Sequence, residues 1–252
     1  MDYIAENNPL IISGIHRSGT SLLSEILENQ DIFIGRYKDI NNESIFFQNI
    51  NNQIMYEYDS SWDNPKSIFK SKSSINLDVL ISKIKFILNN PLNNYQYFGA
   101  SNFFRKNNFK SLMYNWGWKD PRNIFTLPLW LKIFPKAKVV IMIRHPYDVS
   151  NSLIYRNEKT KRKLFLNFFR FIPDAFLSLL PINNKSNKIS NSLVNFHDGI
   201  KLYEKYYFEI ESLKLKYPDK LYILKYEDLV LDPVKTINCI CKYLGMKISK
   251  KI

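Results

Sequence analysis

Apolar positions along this chain fall into short unbroken runs separated by stretches of helical spacing. Ile11 and Ile12 lead into a stretch bounded by Gly14 and Gly19, after which Leu22, Leu23, Ile26 and Leu27 recur on one helical face. This predicts a strand, an outward-facing polar loop and a helix. Residues 31–35 predict a second short strand, and Ile45, Phe46, Ile50 and Ile54 mark a helix beyond the polar Asn41 and Asn42. Residues 56–72, with Trp62 and Pro65, read as a surface loop, and 75–88 as an amphipathic helix that the polar residues 89–94 end. Residues 95–113 interleave basic and aromatic side chains and fit either a helix or an irregular wall. A strand starting at Tyr114 is ended by Pro121, which cannot donate to a ladder. The apolar run from Val139 to Ile143, within 137–143, is the clearest buried strand, and Asp148 caps the helix after it. A basic stretch, 156–163, leads into an apolar segment, 164–182, and then a flexible connection over 183–191. Ile200, Tyr203, Tyr207, Ile210 and Leu213 place a long helix over 198–216. A last strand follows at 221–224, then a helix opened by Asp232 and Pro233 and closed by Gly245.

Strands alternating with helices imply an α/β fold whose mostly parallel sheet is covered on both faces, and 252 residues suit one domain spanning 1–252. Ligands of such sheets gather at the carboxyl ends of the strands. The 14–21 loop, the 119–122 turn and Arg144 all fall at such ends, so one pocket is expected to hold them. A helix amino terminus presents unpaired amides and a positive dipole end, and Arg17 adds a fixed charge, so the loop suits an anion. The spacing from Gly14 to Gly19 is that of a Walker A loop, but Thr20 and Ser21 stand where Lys and Ser or Thr are needed. The grip on the outer phosphates of a nucleoside triphosphate is incomplete, which points to a smaller anionic group. An ordinary glycine turn is the plainer reading.

Composition narrows the picture further. With 45% hydrophobic and 23% charged residues the chain is no disordered protein, and its formal charge of +13 favours anionic partners: nucleotides, nucleic acids, acidic glycans or anionic membranes. Cys239 and Cys241 on one predicted helix suit neither a disulfide framework nor a zinc site, and His16, His145 and His197 lack ligand spacing, so no metal is expected. The first nine residues carry Asp2 and Glu6 without an apolar core, unlike a secretory signal. Arg170, Pro173 and Asp174 interrupt 164–182, which reads as buried or interfacial rather than spanning. The expectation is a cytoplasmic protein. Arg156, Lys159, Lys161, Arg162 and Lys163, beside Phe165, Phe168, Phe169 and Phe171, could also rest on the inner face of an anionic membrane.

At this point the residues resemble the family of sulfotransferases that use 3′-phosphoadenosine 5′-phosphosulfate (PAPS), in its bacterial, glycan-type branch. Residues 14–22 resemble its 5′-phosphosulfate loop and 140–152 its 3′-phosphate element, while 117–122 and 224–233 resemble segments of the bacterial members. The resemblance covers most of 9–245, with 156–198 unmatched. It implies a three-layer, P-loop-like α/β/α fold, PAPS as donor without a metal, and in-line sulfuryl transfer to an acceptor hydroxyl on a carbohydrate or lipid-linked glycan. The donor would lie on Gly14, His16, Arg17, Ser18, Gly19, Thr20 and Ser21, with Arg144 and Ser152 at the 3′-phosphate and Tyr226 beside the nucleotide. Arg17 and Lys119 would stabilise the leaving phosphate, and Glu43 would serve as base, with Asp120 the alternative. Glu43 could instead be a first-turn carboxylate on the helix dipole, and Asp120 an ion-pair partner of Arg122 or Arg144. Trp116 and Trp118 alternate along a strand, so at least one belongs to the core. Members commonly close over the nucleotide with a carboxyl-terminal basic loop. Here either 156–190 provides that cover, as an acceptor lid, or the donor is held less tightly. A nucleotide or small-molecule kinase, and a non-catalytic binder of nucleotide or nucleic acid, are the other readings. The sulfotransferase reading needs no nucleic-acid partner.

Overall fold

The computed structural model describes residues 8–67, 76–99, 109, 115–169 and 190–246. At its centre are four parallel strands: β1 (Leu10–Gly14), β2 (Gly117–Lys119), β3 (Lys138–Ile143) and β4 (Leu221–Lys225), in the order β2-β1-β3-β4. β1 is buried along its whole length, which is why it shows as an unbroken apolar run. Register pairs Ile11 with Trp118 and Val139, and Ile12 with Lys119 and Val140. Alternate residues therefore face opposite layers.

Ile11, Trp118, Val139 and Ile141 pack against α2 (Ile45–Glu57), α3 (Leu77–Asn89), α4 (Pro91–Phe98), α5 (Asn123–Ile133), α6 (Pro146–Phe169) and α7 (Phe196–Lys216). Leu10, Ile12, Val140 and Met142 pack on the other side against α1 (Thr20–Asn29), α8 (Tyr226–Leu231) and α9 (Pro233–Leu244). The three-layer α/β/α arrangement is thus present. Trp116 and Trp118 both lie in the core, Trp118 stacked flat on Phe47 at 4.0 Å between ring centroids.

Several elements differ from the sequence reading. Residues 31–35 form no full strand: Phe33 alone bridges to Trp116 in parallel, and Gly35, at φ 113°, turns the chain away. The polar break at 89–94 joins two helices, because Asn90 accepts from the Leu92 N–H and Pro91 starts α4 at a position needing no donor. Lys132 aside, α5 is buried on every side and shows no amphipathic period; the sequence reading passed over it, and over the six-residue α8. Asp148 lies inside the first turn of α6 and accepts from Arg144 at 3.2 Å rather than capping the helix. α6 continues through the basic stretch to Phe169. The expectations for 170–189, and for most of 100–114, fall outside the described residues. No helix among the described residues is long and apolar enough to cross a membrane.

One polar side chain fastens α2 to the end of β2. Asn51 is fully buried and donates to Asp120 Oδ2 and Asn123 Oδ1, each at 2.8 Å, while its own oxygen accepts from Thr126 Oγ1 and Trp130 Nε1, also at 2.8 Å. All four valences of the amide are used. Asn51→Leu would strand several buried groups at about 1–3 kcal/mol each, so the urea midpoint should fall by the equivalent of about 3 kcal/mol or more. A near-wild-type midpoint would contradict this role.

Candidate active site

The loop between β1 and α1 is bent by glycines whose conformations a side chain could not share. Gly19 sits at φ 94°, and a Cβ there would lie 2.3 Å from the Tyr226 ring. Arg17 adopts a left-handed φ of 71°, Ser18 N–H donates to Ile15 O at 3.1 Å, and Ser18 Oγ ties the loop to Met142 O at 3.0 Å. α1 begins without a side-chain cap, so its first amides remain available to a ligand.

A cavity of about 250 Å³ opens where this loop meets the carboxyl ends of β2 and β3. His16, Arg17, Gly19, Thr20, Ser21, Glu43, Lys119, Arg144 and Tyr226, nine of the expected site residues, line it together. Gly14, Ser18, Asp120 and Ser152 do not. Gly14 and Ser18 shape the loop beneath, and Ser152 Oγ accepts from Arg17 Nε at 2.8 Å. The wall also holds Pro121, from the 119–122 turn expected there, Arg156, from the stretch expected to cover the site, and Leu22 and Asn41, which the sequence reading did not place there. The sequence places Arg156 in a basic stretch, as cover for the site or as a membrane contact, without singling it out. Its position four residues after Ser152, on the same helical face, was the available signal.

Burial makes the charges at the cavity floor interdependent. Glu43 precedes α2 and its N-cap Ser44, so it is not a first-turn carboxylate. It accepts from Arg122 Nη1 at 2.9 Å, Lys119 Nζ at 3.4 Å and Gln48 Nε2 at 2.8 Å. Burial alone would push this carboxyl up, but Lys119 and Arg122 outweigh it and hold it well below the usual carboxylate range. Arg122 Nη1 also donates to Asp120 Oδ1 at 2.9 Å, and the two carboxylates raise the guanidinium further despite its burial. Burial pushes Asp120 up while Arg122 pulls it back. With Asn51 on one oxygen and Arg122 on the other, Asp120 is committed to the framework. Lys119 Nζ donates to Asn41 O at 2.7 Å, an oxygen that also takes the Ser21 hydroxyl at 2.7 Å.

The upper wall is strongly positive. Burial lowers the pKa of Arg17, with Arg144 adding to the effect, and lowers that of His16 well below its ordinary value, leaving a neutral imidazole at pH 7. Arg144 lies over the Tyr226 ring at 4.4 Å. Among the described residues, His16 Nε2, Arg144 Nε and Arg156 Nε are buried without a hydrogen-bond partner. Three partnerless nitrogens around one cavity are what a bound polyanion would satisfy. His145, by contrast, lies outside the wall; its N–H donates to Glu227 and its ring stacks near Tyr147. Among the described residues, no group of His, Cys, Asp and Glu is arranged to hold a metal ion.

The sequence profile described as the Sulfotransferase family matches residues 9–250. A 3-alpha-hydroxysteroid sulfotransferase of Cavia porcellus is 29% identical over 140 residues, covering 53% of this chain and 42% of that protein. An omega-hydroxy-beta-dihydromenaquinone-9 sulfotransferase of Mycobacterium bovis (strain ATCC BAA-935 / AF2122/97) is 27% identical over 128 residues, covering 51% and 28%. The aligned part spans less than half the length of these curated relatives. The sulfotransferase domain from the curacin biosynthetic pathway superposes with a TM-score of 0.52 at 16% identity, covering 97% of this chain and 76% of that domain, and so shows the same fold.

Glu43 gives the site a measurable pH signature. Its carboxyl ionises at lower pH in the folded protein than in the unfolded chain, where a glutamate titrates near ~4.3. Its contribution to stability is therefore complete above that pH and drains away as pH falls towards the folded value. From about pH 5 to about pH 3 the wild-type unfolding free energy should fall more steeply than that of Glu43→Gln. At pH 7 the variant should be weaker by about 3 kcal/mol, the lower end for breaking a buried pair, because Arg122 keeps Asp120. Parallel pH profiles from urea titrations would show that the neighbours do not hold this carboxylate.

Proposed function

Because the chain belongs to the Sulfotransferase family, we propose that it transfers the sulfuryl group of PAPS to an acceptor hydroxyl. The observation that carries this is the convergence of cations on one cavity: Arg17 from the loop after β1, Lys119 from the end of β2 and Arg144 from just beyond β3. A donor that carries both a 5′-phosphosulfate and a 3′-phosphate needs several cations in one site. The loop amides, Thr20 and Ser21 would receive the 5′ group, a role that does not require the absent Walker A lysine. Arg144, with Tyr226 beneath it, would take the 3′-phosphate, for which its partnerless Nε is already turned inward.

In the reaction the acceptor oxygen bonds to sulfur, the bond from sulfur to the 5′-phosphate oxygen breaks, and the hydroxyl proton passes to a base. Glu43 is that base in this reading, since its carboxylate lies in the wall and Asp120 does not. In the free protein Glu43 is a weak base, held down by Lys119 and Arg122. An anion drawing Lys119 towards itself would weaken that hold and raise the basicity of Glu43 when the donor is in place. Lys119 and Arg17 would meet the charge growing on the leaving phosphate. Asp120 acts through Arg122 as a positioning residue.

The two curated relatives are named for hydroxylated steroid and menaquinone acceptors, and the present chain is assigned a hydroxyl acceptor likewise. A carbohydrate or lipid-linked glycan, the acceptor class implied by the sequence resemblance, belongs to this proposal. So do a single domain over 1–252 and a cytoplasmic location.

Calorimetric titration tests the donor site. The protein should bind 3′,5′-ADP, and Arg144→Ala should weaken that binding by about 1.5–3 kcal/mol, roughly 10- to 100-fold in Kd, while affecting 5′-AMP little. Equal losses for both nucleotides would remove Arg144 from the 3′-phosphate. In turnover, Glu43→Gln should lower kcat by about 10²- to 10⁴-fold without weakening donor binding.

A further inference from the structure

Donor binding, as assigned above, engages Arg17, Lys119 and Arg144 and leaves a fourth cation in the wall unexplained. Arg156 lies on α6 one turn beyond Ser152, and its guanidinium enters the cavity over Trp62, 4.7 Å from the ring centroid. The same indole meets the edge of His16 at 5.0 Å. One aromatic side chain thus braces two nitrogen-bearing groups whose inner nitrogens, Arg156 Nε and His16 Nε2, are buried without a partner among the described residues.

The other cations are differently placed. Lys119 and Arg122 are paired with Glu43, and Arg122 also with Asp120; Arg144 is paired with Asp148, and Arg17 donates to Ser152. Arg156 forms no ion pair with a described carboxylate. A partly desolvated guanidinium with no ion-pair partner is costly unless a ligand supplies one. Its pKa is lowered by burial and then by Arg17, with the Glu43 carboxylate offsetting part of the effect. His16 feels the fields of both Glu43 and Arg156, and all three line the same cavity. A neutral imidazole can present an N–H at Nε2, the tautomer that an anion there would select.

We propose that Arg156 and His16 form an anion subsite for the acceptor, so that the molecule presenting its hydroxyl to Glu43 also carries a carboxylate, phosphate or sulfate group. The inference rests on the sulfotransferase reading for the identity of the reaction. The subsite itself rests on the geometry. Arg156 favours a planar or tetrahedral oxyanion, and the Trp62 face excludes water from one side of it.

The test compares wild type with Arg156→Met, which keeps the length of the side chain, and with Arg156→Lys, which keeps the charge. Calorimetry with 3′,5′-ADP comes first, and the Met variant should bind it within about twofold of wild type. Inorganic sulfate is then titrated into protein saturated with 3′,5′-ADP, with thermal unfolding as readout and sodium chloride at matched ionic strength as control. Sulfate should raise the wild-type Tm above the control, the Met variant should lose that increment, and the Lys variant should retain part of it. Without added anion, Arg156→Met should melt no lower than wild type, because it removes an uncompensated charge. With labelled PAPS, matched hydroxyl probes such as glucose and glucose 6-phosphate should show kcat/KM favouring the anionic member by tenfold or more, and Arg156→Met should bring the ratio towards one. Equal sulfate increments in wild type and the Met variant would overturn the subsite. A tenfold loss of PAPS affinity in Arg156→Met with 3′,5′-ADP unchanged would give Arg156 to the donor's sulfuryl group and overturn it as an acceptor site. Failure of 3′,5′-ADP to bind at all would sink the donor reading instead, and the sulfate titration would still decide the subsite.

Discussion

The chain of buried charges from Lys119 through Glu43 and Arg122 to Asp120 is the constraint on which both fold and site depend. Four ionised groups, each nearly inaccessible to water, are tolerable only because every one has an opposite partner close by. Neutral donors complete the arrangement, with Gln48 on Glu43 and Asn51 on Asp120. These contacts run from α2 to the turn after β2, so the elements that build the cavity floor are held by the groups that give it its charge. The arrangement fixes where Glu43 points and also how strongly it holds a proton. A carboxylate set in this way responds to its neighbours, and an anion arriving at Lys119 would loosen the hold on Glu43.

Above that floor the sheet order decides what meets what. β1 lies between β2 and β3, so the chain passes from β1 to β2 on one side and then crosses to β3 on the other, and the loop after β1 faces the cleft where the crossover direction changes. Residues more than a hundred positions apart in sequence are brought to one rim: Arg17 from β1, Lys119 from β2 and Arg144 from β3. The geometry of the loop is maintained from outside as well. Ser18 is tied to β3, and the Tyr226 ring occupies the space a side chain at position 19 would need. The aromatic residue flanking the cavity also enforces the glycine.

The parts of this design that follow a simple period were legible in the sequence. β3 and β1 are unbroken apolar runs because both faces are covered, and the glycine-bounded loop stands out between an apolar strand and an amphipathic helix. α5 was not legible, since a helix buried on all sides has no polar face to betray its period. Phe33 failed in the opposite sense: an apolar segment of strand-like composition makes a single bridge because Gly35 ends the pairing. At the site, most of the residues carrying family motifs line one cavity, whereas Arg156 was one cation among several in a basic run. Arg122 was visible as a charge, but its bridging between two carboxylates depends on tertiary distance alone.

Arg122 and Arg156 show how burial gives the same side chain two different meanings. Around Arg122 the chain itself supplies both counter-charges, and the guanidinium becomes part of the framework. Around Arg156 the chain supplies an aromatic face, a neutral imidazole and the field of Glu43, but no ion pair with a described carboxylate. Substituting an apolar side chain at position 156 would relieve that desolvation, so the arginine is not there for stability. A cation held partly dry, beside a nitrogen with no partner and within reach of the same carboxylate field as the proposed base, is complete only when something negative enters. That incompleteness is the physical content of the specificity assigned to it.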